Sequence, residues 1–411
     1  MSERPLRFTG RVRDGAGMAD DFDEYDDEPD EPAPPAEVPE PRANPYLAGH
    51  EPAEAALIDA HAQGKLPHAI IIGGPRGIGK ATLAFRLARF LLAQGTAGAD
   101  LFGGPPRALA VAEDDPIFRR VAAGGHADLL TIERGINPNK WKKRDAPPDA
   151  EARKRVLRSE IVVEDTREVE TFLRLTAAEG GWRIVIVDSA DDMNRNAANA
   201  LLKILEEPPR NALLMLVSHN PGRLLPTIRS RCRKLALKPL AEGEVVRLIA
   251  RYRPDVADDD ARALARLAEG SIGRALDLAA AGGLDLYRTL LKLLDRLPGL
   301  DVPALHGFAD KLARAEAEDT YRTASELLTQ FLARMIRAAA HDGAGQGAGN
   351  EGEIVRGERE GMRRLAGRRS LDQWVEVWEK ITRLFAQADG LNLDRKQVVL
   401  SAFLALEGAA R

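Results

Sequence analysis

Apolar and polar positions follow two regimes along the chain. Up to about residue 240, short apolar runs stand between helical stretches; beyond that point only helical spacing remains. In the first regime, residues 53–63 have helical spacing, 68–72 form a short apolar strand, and 80–92 are helical with Leu83, Leu87 and Phe90 on one side. Further apolar runs at 129–132, 183–187, 213–217 and 234–237 predict strands, separated by helical stretches at 166–175 and 196–205. Such alternation predicts an α/β domain with a mostly parallel sheet covered by helices on both faces. From residue 242 the strands disappear, and helices broken at Pro254, Gly270, Pro298 and Pro303 predict a lid of two to four helices over 240–283. A second helical region follows over 284–411, interrupted by a glycine-rich stretch, 341–352, expected to be a mobile loop reaching to about residue 360. In 371–385 the apolar residues Leu371, Trp374, Val375, Trp378, Ile381, Leu384 and Phe385 keep helical spacing, which predicts a packed bundle. No internal repeat interrupts this order.

A chain of 411 residues fits two to three domains at about 150 residues each, which excludes a small stapled or fibrous protein. Lys plus Arg is 59 and Asp plus Glu 63, net −4, but residues 1–40 hold 4 basic and 13 acidic residues. The remainder carries 55 basic and 50 acidic residues, net +5, so the folded part is mildly basic and permits a phosphate-rich partner. Residues 20–40 contain 11 carboxylates, five prolines and no basic residue, and the tail 1–43 is expected to be disordered. Cys232 is the one cysteine, which leaves no internal disulfide and no multi-cysteine zinc site and fits a reducing cytoplasm. No run of about 18 apolar residues exists and the charged N-terminus lacks the apolar core of a secretion signal, so a soluble intracellular protein with no membrane partner is expected.

Gly74-Pro75-Arg76-Gly77-Ile78-Gly79-Lys80-Ala81 follows a predicted strand and opens a predicted helix, the setting of a phosphate-binding loop. Gly74, Gly77 and Gly79 let backbone N–H groups converge on a polyphosphate, and the Lys80 ammonium can pair with β and γ oxygens. The last position should be Ser or Thr, whose hydroxyl holds magnesium, and here it is Ala81. Thr82 does not substitute, because one step along a helix turns the side chain by about 100°. Strand 183–187 delivers Asp188 at its C-terminal end, where ligands sit in open α/β sheets. Motor ATPases follow that aspartate with a glutamate that positions water; here Ser189 stands there, and losing such a base costs about 10²–10⁴ in rate. Asp191 and Asp192 are out of register and have a sufficient role as acids at a helix start. Both gaps fall on hydrolysis, while the glycines and Lys80 remain. ATP binding without hydrolysis stays open, as does a vestigial glycine turn.

Thr227-Ile228-Arg229-Ser230-Arg231-Cys232-Arg233 packs three arginines into five residues before a strand. Either these are solvated, or Arg231 reaches a neighbouring subunit's nucleotide and neutralises charge on the transferred phosphoryl, an effect of about 10³–10⁵ in rate. Arg274, at a predicted helix start in Gly270-Ser271-Ile272-Gly273-Arg274, either faces a nucleotide from the lid or is an exposed helix-start arginine. Residues 134–158 carry nine basic residues, including Lys142-Lys143-Arg144 and Arg153-Lys154-Arg155, beside Trp141. They form a solvated insertion or touch DNA phosphates. His68 and His126 have no partners at metal spacing.

Together these segments resemble the delta-prime family of bacterial DNA polymerase III clamp-loader subunits, in the clamp-loader branch of the AAA+ proteins. The match is carried by Leu66-Pro67-His68-Ala69 with the loop Gly74 to Lys80, by Ala178-Glu179-Gly180-Gly181-Trp182-Arg183 into Val187-Asp188-Ser189-Ala190-Asp191, and by Asn199-Ala200-Leu201-Leu202-Lys203 to Glu206-Glu207-Pro208-Pro209. Ser218-His219-Asn220-Pro221, Ser230-Arg231-Cys232 and Asn392-Leu393-Asp394-Arg395-Lys396-Gln397 complete it. The resemblance implies a AAA+ sheet domain over 44–239, a helical lid and a C-terminal helical collar that assembles an open five-subunit ring. It further implies a stator whose Arg231 serves the adjoining gamma or tau ATPase, with the delta subunit, the sliding clamp and primed DNA as partners in a DNA polymerase holoenzyme. Many relatives carry a cysteine-based zinc module after the first helix; residues 95–126 contain no cysteine, so no zinc is expected. The competing expectations are an active gamma/tau-type ATPase using Lys80, Asp188 and Arg274 itself, and a DNA-binding adaptor led by the Trp141 insertion.

Overall fold

A computed structural model describes residues 38–96, 108–137, 156–179, 181–343, 352–391 and 393–411. The acidic tail, Trp141 with the basic clusters beside it, Gly180 and Asn392 lie outside the described residues.

Five strands, β1 (Ala69–Gly73), β2 (Leu129–Ile132), β3 (Arg183–Asp188), β4 (Ala212–Ser218) and β5 (Arg233–Ala236), form one parallel sheet in the order β2-β3-β4-β1-β5. Register pairs Ile70 with Met215 and Ile72 with Val217 between β1 and β4. Alternate residues of each strand face opposite layers. Ile70, Ile72, Ile184, Ile186, Met215 and Val217 pack with Leu57 and Ile58 of α1 (Glu51–Ala62) and with Leu83, Leu87 and Leu91 of α2 (Lys80–Thr96). A short α3 (Pro116–Ala122), capped by Asp115, adds Ile117 and Val121 to that layer. On the other face Ile71, Val185, Val187, Leu214 and Leu216 meet α4 (Val163–Arg174), α5 (Arg195–Ala200), α6 (Leu202–Glu206) and α7 (Pro226–Arg229) through Val169, Leu173, Ala197, Leu201, Ile204 and Ile228. With both faces covered, strands β1, β3 and β4 need no polar alternation, which is why they stand out as continuous apolar runs.

After the sheet come only helices: α8 (Glu242–Tyr252), α9 (Asp258–Leu267), α10 (Ile272–Ala280), α11 (Gly283–Asp295), α12 (Val302–Leu312), α13 (Glu318–Gly343), α14 (Glu358–Ala366), α15 (Leu371–Leu391) and α16 (Arg395–Ala410). Their buried residues form one continuous core running from Leu240 to Ala410, in which Trp374 is 1% exposed. The architecture is the expected α/β arrangement, a parallel sheet with helices on both faces, followed by an all-helical region. Among the described residues no helix is long and apolar enough to cross a membrane, and no cluster of three or more metal-ligating side chains occurs.

Candidate nucleotide site and arginine donor

The loop between β1 and α2 sits at the C-terminal edge of the sheet, and its glycines hold the backbone that the sequence pattern requires. Gly74, Gly77 and Gly79 have φ of 149°, 76° and 99°. At Gly77 a Cβ would fall 2.4 Å from Ser271 Oγ and 3.2 Å from the Cα of Gly273, because Gly273 N donates to Gly77 O across 2.9 Å. The N-terminus of helix α10 therefore rests directly on the phosphate loop. Gly77→Ala should cost at least about 1–2 kcal/mol, from the left-handed backbone alone, and lower the melting temperature of the full chain. An unchanged melting curve would show that residue 77 is not held in the left-handed region.

Lys80 is buried, and its ammonium donates to the loop's own Pro75 O at 2.5 Å. Burial pushes its pKa down to about 8, against the pull of the Asp188 and Asp191 carboxylates, while Arg76 pushes it the same way as burial. Asp188 is raised, first by burial and then by Glu133, with Lys80 opposing. Each is thus the other's counter-charge in a poorly solvated site. Ala81 offers no oxygen. Ser189 Oγ lies 2.9 Å from His219 Nε2, so a hydroxyl–imidazole bond fills the place where a water-positioning carboxylate would project. His219 is lowered by burial and then by Lys80, which leaves it neutral at pH 7. The glycines and the ammonium fit a polyphosphate. The donor set around Ala81 and Ser189 does not supply the magnesium ligand or the base.

Asp191 stands at a helix start, as expected, and its carboxylate has a further role. The helix there is one short turn, Ala190–Asp192. The Asp191 carboxylate accepts from Ser218 Oγ at 2.9 Å, from Asn220 N at 3.1 Å and from His219 N. It ties the loop after β3 to the end of β4 and thereby fixes His219. Periodicity cannot show this, because the partners lie 27 to 29 positions away.

Arg231 lies outside that cluster. Its backbone is held between buried Ile228 and Cys232, and Arg231 N donates to Ile228 O at 3.1 Å. The guanidinium is partly exposed, with Nη1 on Thr227 O at 3.1 Å and Nη2 on Glu206 Oε1 at 2.8 Å. Cys232 beside it is a buried thiol pushed up to about 11 by burial, which rules against nucleophilic use at neutral pH. Arg274 caps back through its N–H to Ser271 Oγ, and its Nη2 donates to Gln330 Oε1 of α13 at 2.9 Å. The loop, Lys80 and Asp188 are thus brought together, whereas the Arg274 guanidinium is turned to the C-terminal helices and Arg231 to solvent.

Residues 49–241 match the family described as DNA polymerase III, delta subunit. The delta-prime subunit of Pseudomonas aeruginosa is 36% identical over 204 residues, covering 50% of this chain and 53% of that protein. The delta-prime subunit of Escherichia coli is 32% identical over 238 residues, covering 58% and 62%. Over that stretch the chain is similar to the delta-prime subunits of bacterial DNA polymerase III. A gamma/tau subunit of Mycobacterium bovis is 27% identical over 353 residues, covering 80% of this chain and 56% of that protein. The chain thus spans about half the length of the curated relatives it matches first. The family match takes in the phosphate loop, Asp188, Ser189 and Arg231, and ends before Arg274. Sequence reasoning missed Glu206 as the partner of Arg231. The only signal was its place in the Glu-Glu-Pro-Pro helix end, where Pro208 and Pro209 stop α6 just after Glu206.

Proposed function

We propose that the chain acts as the delta-prime stator of a bacterial clamp loader. In this reading it does not hydrolyse ATP. It completes the site of an adjoining gamma or tau ATPase with Arg231, in an open hetero-pentameric ring that also holds the delta subunit and places the sliding clamp on primed DNA in the cytoplasm. One observation carries the proposal: a solvent-facing guanidinium on a rigid mount accompanies a phosphate site lacking both a magnesium-ligand oxygen at Ala81 and a carboxylate at Ser189. The test is reconstitution with gamma/tau and delta subunits, measuring DNA-stimulated ATP turnover with and without this chain. Turnover that needs this chain, combined with none by the chain alone, supports the stator. Steady turnover by the isolated chain that disappears in Lys80→Ala overturns it in favour of an active ATPase.

The loop's fit to a polyphosphate extends the proposal to ATP held without hydrolysis. Lys80 is charged below about pH 8 and neutral above it, and only the ammonium attracts phosphate. Affinity of the isolated chain for a fluorescent ATP analogue should therefore be greatest below pH 8 and fall above it, approaching about tenfold per pH unit for one linked proton. Lys80→Met should bind weakly and lose that dependence. A flat profile for the unsubstituted chain would place the analogue away from Lys80.

A further inference from the structure

Glu206 is the last residue of α6, on the exposed side of a helix anchored inward by Ile204 and Leu205. Its carboxylate meets Arg231 Nη2 at 2.8 Å, while Thr227 O takes Nη1 at 3.1 Å. One end of the guanidinium is thus fixed by a charge and the other by a backbone carbonyl of α7, two elements that both pack on the same face of the sheet. A free arginine side chain carries about 2 kcal/mol of rotamer freedom, which it loses on docking to a phosphate. Here part of that freedom is already removed. The remaining N–H groups of the fork make no hydrogen bond among the described residues.

We propose that Glu206 is a positioning residue for Arg231, holding the guanidinium by one edge so that its free N–H groups are presented in a fixed orientation to a phosphate on a neighbouring subunit. This rests on the reading of Arg231 as a donated arginine. The carboxylate also competes electrostatically with a phosphate for the same cation. Positioning outweighs competition because a mixed fork can serve both acceptors: a bidentate group bonded along one edge keeps donors on another. Misplacement of a reacting or stabilising group by about 1 Å costs up to about 10²-fold in rate.

The experiment uses the reconstituted clamp loader with single-turnover ATP hydrolysis and separate measurement of ATP affinity. Glu206→Ala should lower the rate about tenfold to a hundredfold with ATP affinity unchanged. Glu206→Gln, which keeps an acceptor oxygen in place, should recover much of that loss. In an Arg231→Ala background, Glu206→Ala should add nothing, since a residue acting through another gives a non-additive pair. Additive losses would mean that Glu206 acts on folding or assembly instead. An unchanged or raised rate in Glu206→Ala would overturn positioning, the raised rate identifying the carboxylate as a lock on the arginine. The failure of the underlying reading has a separate signature: Arg231→Ala would itself leave turnover intact.

Discussion

If the chain is the proposed stator, Arg231→Ala should leave it folded and nearly abolish hydrolysis at the single neighbouring nucleotide site that Arg231 would complete. Its ion pair with Glu206 is half-exposed, so its loss should change stability by no more than about 1 kcal/mol. Its effect on chemistry is far larger, because an arginine supplied in trans neutralises charge that develops only as the phosphoryl group leaves, worth about 10³–10⁵ in rate. ATP binding by the partner should persist, since the substrate's ground-state charge is already met by that subunit's own loop. Arg231→Lys should also fail: the ammonium keeps the charge but loses the planar fork that bonds Glu206, Thr227 and a phosphate together. Rapid-quench hydrolysis with independent nucleotide titration separates the two effects. Wild-type turnover in Arg231→Ala would remove the role of this arginine altogether.

The parts of the fold that were legible from the sequence are those where one local rule decides the outcome. Strands β1, β3 and β4 are buried on both faces, so their apolar runs have no competing reading as amphipathic elements. Strand β5 is an edge, exposed at Arg233, Lys234 and Ala236, and shows only through Leu235 and Leu237. The stretch 196–205 has unbroken helical spacing, yet the helix divides at Leu201, where α5 closes its last turn and α6 begins. Helix α3 is too short for periodicity, although Asp115-Pro116 marks its start. Within the site, glycine spacing revealed the loop and the residue types at 81 and 189 revealed what is missing. The Asp191 clamp, the Ser189–His219 bond and the Glu206–Arg231 pair join residues 25 to 30 positions apart. Side-chain chemistry allows each of them, but only the tertiary arrangement selects them.

Helix α14 was hidden for the same reason, and it carries the second large expected effect. Its first residue, Glu358, falls in a stretch expected to be loop, among charged neighbours that mask the buried Met362 and Leu365. Glu358 is 3% exposed. One carboxylate oxygen accepts from Arg334 Nη1 at 2.6 Å and from the Tyr287 hydroxyl, and the other from Ile354 N at 2.8 Å. The network joins α11, α13 and α14, and burial beside this carboxylate drives the Tyr287 hydroxyl's pKa upward, keeping it a donor. Glu358→Ala leaves the buried Arg334 guanidinium without its counter-charge and two further donors unmatched. It should cost about 3–5 kcal/mol, the range for removing one partner of a buried pair. The doubly substituted Arg334→Met, Glu358→Leu chain should be more stable than Glu358→Ala, because no orphaned charge remains. Urea denaturation of the three chains, followed by far-ultraviolet circular dichroism, measures both differences. A loss below about 1 kcal/mol in Glu358→Ala would mean that water reaches Arg334 and that the junction of these three helices is held by apolar packing alone.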